Sequence, residues 1–563
     1  MLHLDKKHDP RKNALLLSQL SEYKQDMKTA LKETEYLFRR YSTNENAPRP
    51  KQRRPFSTLA FLKSFPFLLF KPPAKHTPAP ARTYVDMNGN AYPEWKKQLD
   101  EQYIQLMKNI KKEVNVEDYG AVGDGVTDNT KAFQKAIGNG RVKVRVPKGV
   151  FVTKRIKLPS WTCLIGEGKG VTIIKLHDDA PKEARLITNA NHIRGNRNIF
   201  VQGMSLNWNV SRLNDTEKTG AGNNRSSCLT FANVSFGWVK DMEGINAGLH
   251  CFDVSSTVYD YSGDGTVAPG RSRFIWLDNL NGYGFGDDGI TTHHSDNILI
   301  SNCHMCDPSG RAHDKGFSNS NGIEIDDGSR NVWLVNNSTA RCFGGVEIKA
   351  HHNASAASNV QIIGHISVND NRSYNFRHIG HHKSTDPESK TAYHIKATNI
   401  VAIAPIYTEL YTNSTPRGMV VSAYKNIVIN GFTLLGDPNY NYEKNPVIAL
   451  QYRARNIVLN RVTIRSFKTA GADIKVFGGD QRADAVHIRN VRIRNSAPQA
   501  IDIGTGLQNF TIHNIRARSE GGSCCLKTGS VPASISEIHT KGYNIPILIT
   551  ENTCDELPFH VHK

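Results

Sequence analysis

The feature that most constrains the fold is a short apolar strand that follows an asparagine and returns along the C-terminal part of the chain. From Asn297 onward, successive asparagines of this kind are separated by 34, 28, 40, 27, 30, 34 and 19 residues. Self-similarity at this spacing is typical of a solenoid, because a single coil of three short strands cannot bury its apolar face and stacked coils can. The asparagines of the repeat are Asn297, Asn331, Asn359, Asn399, Asn426, Asn456, Asn490 and Asn509.

Asparagine suits the corners of such a coil. Its side chain tolerates a left-handed backbone and can stack on its own copies in a hydrogen-bonded ladder. A β-propeller, the rival repeat fold, requires regular antiparallel hairpin turns, and the sequence lacks them. The repeat therefore predicts an all-β chain folded as a parallel β-helix solenoid.

The first hundred residues differ from the rest and predict helices. In residues 1–47 apolar or small side chains recur at alternating steps of four and three, which indicates an imperfect heptad seam and a possible coiled coil. Residues 48–90 form a linker rich in Pro, Lys and Arg, and residues 91–113 return to helical spacing as a neck. We expect partner helices, from other copies or a larger assembly, to cover these seams; a local helical hairpin is the alternative. The seam residues are Leu16, Leu20, Tyr23, Met27, Ala30, Thr34 and Leu37, then Leu99, Tyr103, Leu106 and Ile110.

Residues 56–70 are the only strongly apolar run, and they contain Lys63 and Pro66. Because a membrane-spanning helix needs about 20 apolar residues, we expect a docking segment here and no membrane span. Residues 1–13 are charged and no apolar core follows them in the expected place, so we expect no signal peptide.

Composition indicates which classes of partner the chain can bind and in which cellular compartment it folds. A formal net charge of +19 at pH 7 favours anionic polymers as partners, although a solvated basic face is the simpler alternative. An aromatic content of 8% gives little support to a nucleic-acid groove with stacking platforms. Nine cysteines, an odd number, indicate a reducing compartment rather than a disulfide framework. Cys303 and Cys306 lack a second ligand pair nearby, so we expect neither a metal site nor a cofactor.

Residues 114–137 predict a strand, a Gly-rich turn and a capped amphipathic helix. The segment VEDYGAVGDGVTDNTKAF at 116–133, followed by VPKG at 146–149 and LIGEG at 164–168, resembles the opening of the pectate-lyase-3-type β-helices. That superfamily includes phage tailspikes and pre-neck appendages, polygalacturonase relatives and mannuronan epimerases. The resemblance implies a right-handed β-helix over residues 114–520, with residues 521–563 as the end of the solenoid or its cap.

Alternate side chains of each β-helix strand point outward and form rows across successive coils. Since adjacent coils lie about 4.8 Å apart, groups on neighbouring coils can reach one sugar. Carboxyl groups at such separations suit glycoside hydrolysis, and crowding raises the pKa of one of them, as a general acid requires. A charge ladder that neutralises itself across coils is the alternative. Aligned on their strand starts, the coils predict the rows Thr291, Glu324, Glu347, Arg377 and His293, Asp326, Lys349, with Asp287 and Asp288 just before the first strand.

Residues 286–289 (Gly-Asp-Asp-Gly) resemble the Gly-Asp-Asp segment of polygalacturonase-type hydrolases, whose paired aspartates are general acid and water-activating base. The resemblance makes Asp287 and Asp288 catalytic candidates, joined by Asp326 and Glu324 on the same face. Lys349 matches the lysine of that family's Arg-Ile-Lys substrate clamp, whereas Glu347 stands where arginine is expected. The family's Asn-Thr-Asp and Gly-His-Gly segments have no clear counterparts. The residues expected to bind substrate are Glu347, Lys349, His293, Arg377, Tyr283 and His351.

Tyr283 enters this set because residues 282–285 (Gly-Tyr-Gly-Phe) resemble a segment of mannuronan C5-epimerases in which the tyrosine takes part in proton transfer. Epimerase or lyase chemistry on a polyuronate is therefore an alternative to hydrolysis. His351 belongs to a histidine cluster, with His352, His378, His381 and His382, for which contact with substrate or solvent is favoured over metal binding.

Together these features predict a phage or prophage tail-associated depolymerase that hydrolyses an anionic bacterial surface polysaccharide or teichoic acid. The resemblance to tailspikes implies a homotrimer whose N-terminus attaches to a phage tail or another assembly. Reduced cysteines without a signal peptide fit assembly in the bacterial cytoplasm and release by lysis. A receptor-binding spike that holds the glycan without cutting it is the non-enzymatic alternative.

Overall fold

The computed structural model describes residues 2–42, 81–257, 259–264 and 270–550, and the backbone of 561–562. Its strands, numbered in chain order, form one continuous parallel solenoid from Lys112 onward, preceded by a separate two-stranded antiparallel sheet. The predicted fold class, an all-β right-handed parallel β-helix with an N-terminal helical region, is confirmed.

Each coil contributes to three rows of parallel strands. The antiparallel pair is β1 (Thr83–Val85) and β2 (Ala91–Pro93). The first row contains β3 (Lys112–Asn115), β5 (Val142–Val146), β8 (Thr162–Gly166), β15 (Arg273–Asp278) and β18 (Asp296–Ser301). The second row contains β4 (Asp124–Asp128), β6 (Gly149–Thr153), β9 (Thr172–Leu176), β16 (Asn281–Tyr283) and β19 (His304–Cys306).

The third row carries the candidate site. It contains β7 (Ile156–Leu158), β10 (Ile187–Asn189), β12 (Leu229–Ala232), β14 (Phe252–Ser255), β17 (Ile290–Thr292), β20 (Asn321–Ile325), β22 (Gly344–Ala350), β24 (Arg372–His378), β26 (Arg417–Ser422), β28 (Ile448–Gln451), β30 (Ala472–Val476) and β32 (Gln499–Ile503).

Longer strands bend at a corner and serve both the first and the second row. They are β11 (Asn196–Asn207), β13 (Val234–Ile245), β21 (Arg330–Ala340), β23 (Ser358–Val368), β25 (Tyr393–Ile403), β27 (Lys425–Leu435), β29 (Arg455–Arg465) and β31 (Asp484–Arg494). The solenoid ends with β33 (Thr511–Thr528), β34 (Ser534–Ile549) and β35 (Val561–His562).

The asparagine ladder is confirmed. Asn331 Nδ2 donates to Asn297 Oδ1 at 3.0 Å, and Asn359 continues the ladder on the next coil. Asn399 and Asn490, however, occupy the second corner of their coils, because the first corners at the matching register are His394 and Ala485. Once these corners are used, the coil lengths from Asn297 to Asn509 become 34, 28, 35, 32, 30, 29 and 24 residues. The repeat is therefore more regular than the asparagine spacing alone indicates.

Inward side chains stack from coil to coil and form one apolar core. In the third row this stack runs Phe252, Ile290, Ile323, Val346, Tyr374, Met419, Ile448, Ile474 and Ile501. Burial of such a side chain contributes about 1.5–3 kcal/mol relative to its exposure. The eight cysteines within the described ranges are buried free thiols, Cys303 and Cys306 included.

Helices flank and cap the solenoid. They are α1 (Asn13–Leu20), α2 (Met27–Tyr41), α3 (Lys96–Asn109) and α4 (Thr130–Ile137), with 3-10 turns at Pro10–Lys12, Val116–Tyr119, Val210–Arg212 and Gly479–Gln481. α4 buries Phe133 and Ile137 against the core of the first coils, as its amphipathic pattern predicts. Among the helices of the described segments, none is both long and apolar enough to cross a membrane.

The seam of α2 corrects the expectation that partner helices cover the N-terminal helices. Leu37 packs against Val428 and Val458 of the solenoid, and the Thr34 hydroxyl lies 2.8 Å from that of Thr398. Glu33 forms an ion pair with Arg461. The flank of the solenoid therefore supplies the surface that these short helices need.

The neck, residues 91–113, is similarly covered. It contains β2, α3 and the start of β3, and Leu99 and Leu106 of α3 are fully buried in a cluster with Trp238 and Trp333. The apolar run at 56–70 and most of the linker at 48–90 lie outside the described residues.

Candidate active site

The central outward row of the third strand row brings charged side chains together. Asp253, Thr291, Glu324, Glu347 and Asn375 are Cα partners on five successive coils. The predicted alignment of Thr291, Glu324 and Glu347 is confirmed.

The predicted position of Arg377 in that row is wrong by two residues, since Arg377 pairs with Lys349 in the register. The error arises because β24 begins at Arg372 without the glycine that marks the preceding strand starts. Arg377 nevertheless reaches the row, because its Nε donates to Glu347 Oε1 at 2.6 Å.

The paired aspartates lie beside this row. Asp288 Oδ1 accepts hydrogen bonds from Asn321 N at 2.9 Å and Asn321 Nδ2 at 3.1 Å. The same amide donates to Glu324 Oε1 at 2.9 Å, so one side chain connects the two acids. On the other side, His313 Nε2 lies 2.9 Å from Asp287 Oδ1.

His250 lies against both aspartates and was not predicted. Its Nε2 is 3.6 Å from Asp287 Oδ2 and 3.6 Å from Asp288 Oδ2. Its Nδ1 is held 2.9 Å from Asp253 Oδ2, which fixes the orientation of the ring. The imidazole thus links the outward row to the Gly-Asp-Asp turn.

Lys349 occupies the middle of the remaining acids. Its Nζ lies 2.7 Å from Glu324 Oε1 and 3.7 Å from Asp326 Oδ2. His293 approaches the same Asp326 oxygen at 3.7 Å, and His351 Nδ1 lies 3.0 Å from Asp327 Oδ2. The structure therefore brings eight of the ten predicted site residues into one cluster, and Arg377 joins it through Glu347.

The two aspartates have opposite electrostatic environments. Burial, together with the neighbouring Asp287 and Glu324 charges, raises the pKa of Asp288 well above its ordinary value. Burial also opposes the charge on Asp287, but His313 and His250 hold the pKa of that carboxyl well below its ordinary value. Adjacent carboxyl groups pushed in opposite directions are typical of an acid and base pair.

Asp326 is a second acid whose pKa is raised, by burial and by the charge of Asp327. Although burial opposes it, contact with Glu324 and Asp326 keeps Lys349 charged by raising its pKa. The cluster thus combines carboxyl groups whose pKa is raised, a carboxyl group whose pKa is lowered and a buried lysine.

Although these side chains point outward from the coils, the site is enclosed. Asp287, Glu324 and Lys349 are only 8%, 2% and 5% exposed. The segment 259–264 folds across the cluster, where the Tyr259 ring stacks on His293 at a centroid distance of 3.9 Å. The Tyr259 hydroxyl donates to Asp327 Oδ2 at 2.9 Å, which ties this segment to the acids.

Solvent reaches the cluster at its rim. The Tyr261 ring, next to His351, is 40% exposed, and the His313 side chain is 34% exposed while it contacts Asp287. Tyr261 and His313 therefore form the solvent-facing edge of the cluster.

Tyr283 lies apart from this cluster. It is half-buried in β16 of the second row, with Lys6 Nζ 5.1 Å from its ring centroid and Leu4 and Ile366 in the same apolar cluster. Tyr283 therefore does not lie beside the acids, because the chain turns from the second row to the third between Tyr283 and Asp287.

Among the residues that the structure describes, three groups have donor atoms close enough to hold a metal ion, and two of these groups share Asp326. Within each group the donor atoms lie within 4.8 Å of one another. The groups are His250, Asp287, Asp288; His293, Glu324, Asp326; and Asp326, Asp327, His351. Lys349 already supplies a positive charge among these acids, 2.7 Å from Glu324 Oε1.

Known proteins are similar to this chain in both sequence and fold. A family model described as rhamnogalacturonase A/epimerase, pectate lyase-like, matches residues 113–347. The solved N-terminal fragment of gene product 12 from bacteriophage phi29 is 43% identical, with a TM-score of 0.72 over 80% of this chain and 74% of that chain. The chain belongs to the pectate-lyase-like superfamily of right-handed β-helices.

Two curated relatives of this pectate-lyase-like chain come from Bacillus and its phages. The putative phage-related protein YobO of Bacillus subtilis (strain 168) is 51% identical over 466 residues, which are 83% of this chain and 57% of that protein. The pre-neck appendage protein of Bacillus phage phi29 is 46% identical over 424 residues, which are 74% of this chain and 48% of that protein. The chain spans about half the length of these relatives.

Sequence reasoning on the pectate-lyase-like coils missed His250, Asp253, His313 and Asp327. The sequence does contain a signal for Asp253. Residues 252–255 (Phe-Asp-Val-Ser) alternate in polarity like the strand of the next coil and extend the outward row by one position. His313 had none, since it lies in a long turn between β19 and β20 whose path depends on tertiary contacts.

Proposed function

We propose that this chain is the β-helical part of a phage tail-associated depolymerase that hydrolyses an anionic bacterial surface polysaccharide or teichoic acid. The observation that carries the proposal is the Asp287 and Asp288 pair, two neighbouring buried carboxyl groups with oppositely displaced pKa values. Similarity to a phage pre-neck appendage protein supports the tail association. The net charge of +19 supports an anionic substrate.

In this proposal Asp288 donates its proton to the glycosidic oxygen as the leaving group departs. Asp287, ionised beside His313, takes a proton from the attacking water. Lys349, with Glu324 and Asp326, positions the sugar and balances the charge that develops during the reaction. His250, oriented by Asp253, keeps the two aspartates in different protonation states.

Entry of a polymer requires the segment 259–264 to move, because this segment covers His293 and Asp327. This movement breaks contacts with distant turns: Asp264 accepts from the backbone N–H of Ser355 at 3.0 Å, and the Tyr261 carbonyl accepts from Asn353 Nδ2 at 2.8 Å. We propose that Tyr261 then lies along one face of the bound sugar.

The experiment that tests this function is incubation of the purified chain with a panel of anionic bacterial glycans, including teichoic acids. New reducing ends from a polysaccharide, or new phosphomonoester ends from a teichoic acid, support hydrolysis if they are absent with Asp287→Asn and Asp288→Asn. Ultraviolet-absorbing unsaturated ends would instead identify a lyase, the alternative that also covers C5-epimerase relatives. Asp502→Asn is the matched control, because Asp502 lies in the same outward row several coils away.

A glycan-binding spike without cleavage is the second candidate, and the burial of the acids favours it. It predicts that glycan binding is retained and that no product appears with the wild-type chain. In either case we propose a homotrimer attached through its N-terminal region to a phage tail, assembled in the bacterial cytoplasm and released by lysis.

A further inference from the structure

A second charged chamber opens on the later coils, away from the acid cluster. It has a volume of about 300 Å³ and lies between the loop that follows β24 and the turns that follow β28 and β30. This volume is at the lower end of those that hold small ligands. Its charged lining residues are three carboxylates and three guanidinium groups: Glu388, Asp480, Asp484, Arg453, Arg455 and Arg482.

Three guanidinium groups face this chamber, and two of them are already paired. Arg455 contacts Glu388, and Arg482 Nε donates to Asp484 Oδ2 at 3.0 Å. Arg453 forms no ion pair with a carboxylate of the described residues, and its Nη2 donates to the Ser384 carbonyl at 2.9 Å. Its buried Nε has no hydrogen-bond partner among the described residues.

The backbone holds Arg453 in an unusual conformation. Tyr452 and Arg453 have φ values of +43° and +64°, in the left-handed region that residues other than Gly and Asn rarely adopt. Their backbone N–H groups donate to Gln481 O at 2.7 Å and Arg482 O at 2.9 Å on the next coil. Such locally unfavourable backbone persists where surrounding contacts impose it, and it clusters at binding sites.

The chamber and the acid cluster lie along the same strand row. From β22, which carries Lys349, β28 is three coils away and β30 four, or roughly 14 and 19 Å at the usual coil spacing. The loop after β24 joins the two places, because His378 contacts the carbonyl of His351 and the hydroxyl of Ser389. An extended polymer lying along the coils can therefore reach both.

We infer that this chamber is an anion-binding site, separate from the acid cluster and built around Arg453 with Arg455 and Arg482, which takes a phosphate group of the polymer. Guanidinium groups from three turns suit the tetrahedral phosphate oxygens, and each charge-assisted hydrogen bond is about twice as strong as a neutral one. The inference rests on the proposed function for the identity of the polymer, but the anion site itself can be tested separately.

The direct test is calorimetric titration of the full chain with inorganic tripolyphosphate at low ionic strength. We expect one site whose affinity falls at least about 10-fold in Arg453→Gln, largely recovers in Arg453→Lys and is unchanged in Arg516→Gln, an exposed arginine on β33. Asp480→Asn, which removes a rim carboxylate, should strengthen binding by about 2-fold. Absence of tripolyphosphate binding to the wild type, or equal binding by a folded Arg453→Gln, overturns the inference.

The polymer arm uses poly(glycerol phosphate) and polygalacturonate of matched length, with binding measured in the Asp288→Asn background. Arg453→Gln should weaken binding of the phosphate polymer and leave the carboxylate polymer unaffected. Equal weakening with both polymers overturns the assignment to phosphate. Tripolyphosphate binding without any cleavage of the glycan panel by the wild type would refute the proposed hydrolase while the anion site stands.

Discussion

The early and late coils of the third strand row have the same backbone structure but carry different outward side chains. On the early coils the central outward row is Asp253, Thr291, Glu324, Glu347 and Asn375, whereas on the later coils it is Val420, Ala449, Lys475 and Asp502. Both sets of coils are equally parallel and share one core. The later coils also carry a buried acid, Asp502, but their described residues hold no comparable cluster of carboxylates and histidines.

The difference is informative because buried charges are costly. Removing an ion from water carries a penalty of several kcal/mol, which a partner offsets only when the geometry is good. The early coils nevertheless concentrate carboxylates, histidines and a lysine under the segment 259–264. This concentration is the physical reason to place function on the early coils.

Removal of a lysine should give the largest difference in stability between the early and the late coils. Lys349→Met leaves Glu324 and Asp326 without their ammonium partner and should destabilise the fold by about 3–5 kcal/mol. Lys475→Met breaks a more exposed pair with Asp502 and should cost less than about 1 kcal/mol. Urea unfolding of both variants measures the difference, and equal losses would contradict the special status of the early coils.

The pH dependence of stability should be the next largest effect. Although burial opposes the charge, hydrogen bonds to Asp253 and Asp287 raise the pKa of His250 to about 9. A histidine with a raised folded pKa stabilises the fold below about pH 6.5 and loses this contribution as the pH rises through its folded pKa. His250→Gln should therefore remove up to about 3 kcal/mol of the stability lost between pH 6.5 and 9.5.

The control for this experiment lies on a later coil. Burial lowers the pKa of His487 to about 4, so this histidine is already neutral across the same pH range. Thermal unfolding of His487→Gln should give the alkaline slope of the wild type. An unchanged slope in His250→Gln would mean that the imidazole is not charged at neutral pH.

The sequence predicted the scaffold better than the site. Asparagine corners and the opening motif at 116–133 were sufficient for the solenoid, because coil geometry follows from local turn preferences and strand alternation. Glu324, Glu347 and Lys349 were placed together for the same reason. His250 and His313 were not, since their approach to Asp287 depends on long turns that carry no periodic signal. The enclosure of the site by Tyr259 and the packing of α2 on the solenoid likewise depend on long-range tertiary contacts.

A smaller effect is expected at the rim of the early coils. The half-exposed Tyr261 ring lies next to the acid cluster. Tyr261→Ala removes this ring and should cost about 1 kcal/mol of contact with the sugar. We therefore expect KM for the cleaved glycan to rise about 5-fold. Tyr407→Ala removes a ring of similar exposure near the later coils and should leave KM unchanged. Steady-state kinetics on one substrate compares the two variants. Equal KM values would show that Tyr261 does not contact the bound glycan.

The smallest effect concerns a corner of the later coils. Ala485 occupies, with a φ of +51°, the corner at which earlier coils carry asparagine. Because asparagine tolerates this conformation better than alanine, Ala485→Asn should stabilise the fold by about 0.5 kcal/mol. Urea unfolding tests this, and a destabilised variant would show that the ladder cannot extend to this coil.

The central claim is that Asp288 holds a proton at neutral pH while Asp287 beside it is ionised. Infrared difference spectroscopy at pH 7, wild type minus each asparagine variant, tests this most directly. We expect Asp288→Asn to remove a protonated carboxylic acid band and Asp287→Asn to remove a carboxylate band. Loss of a carboxylate band in Asp288→Asn would contradict it.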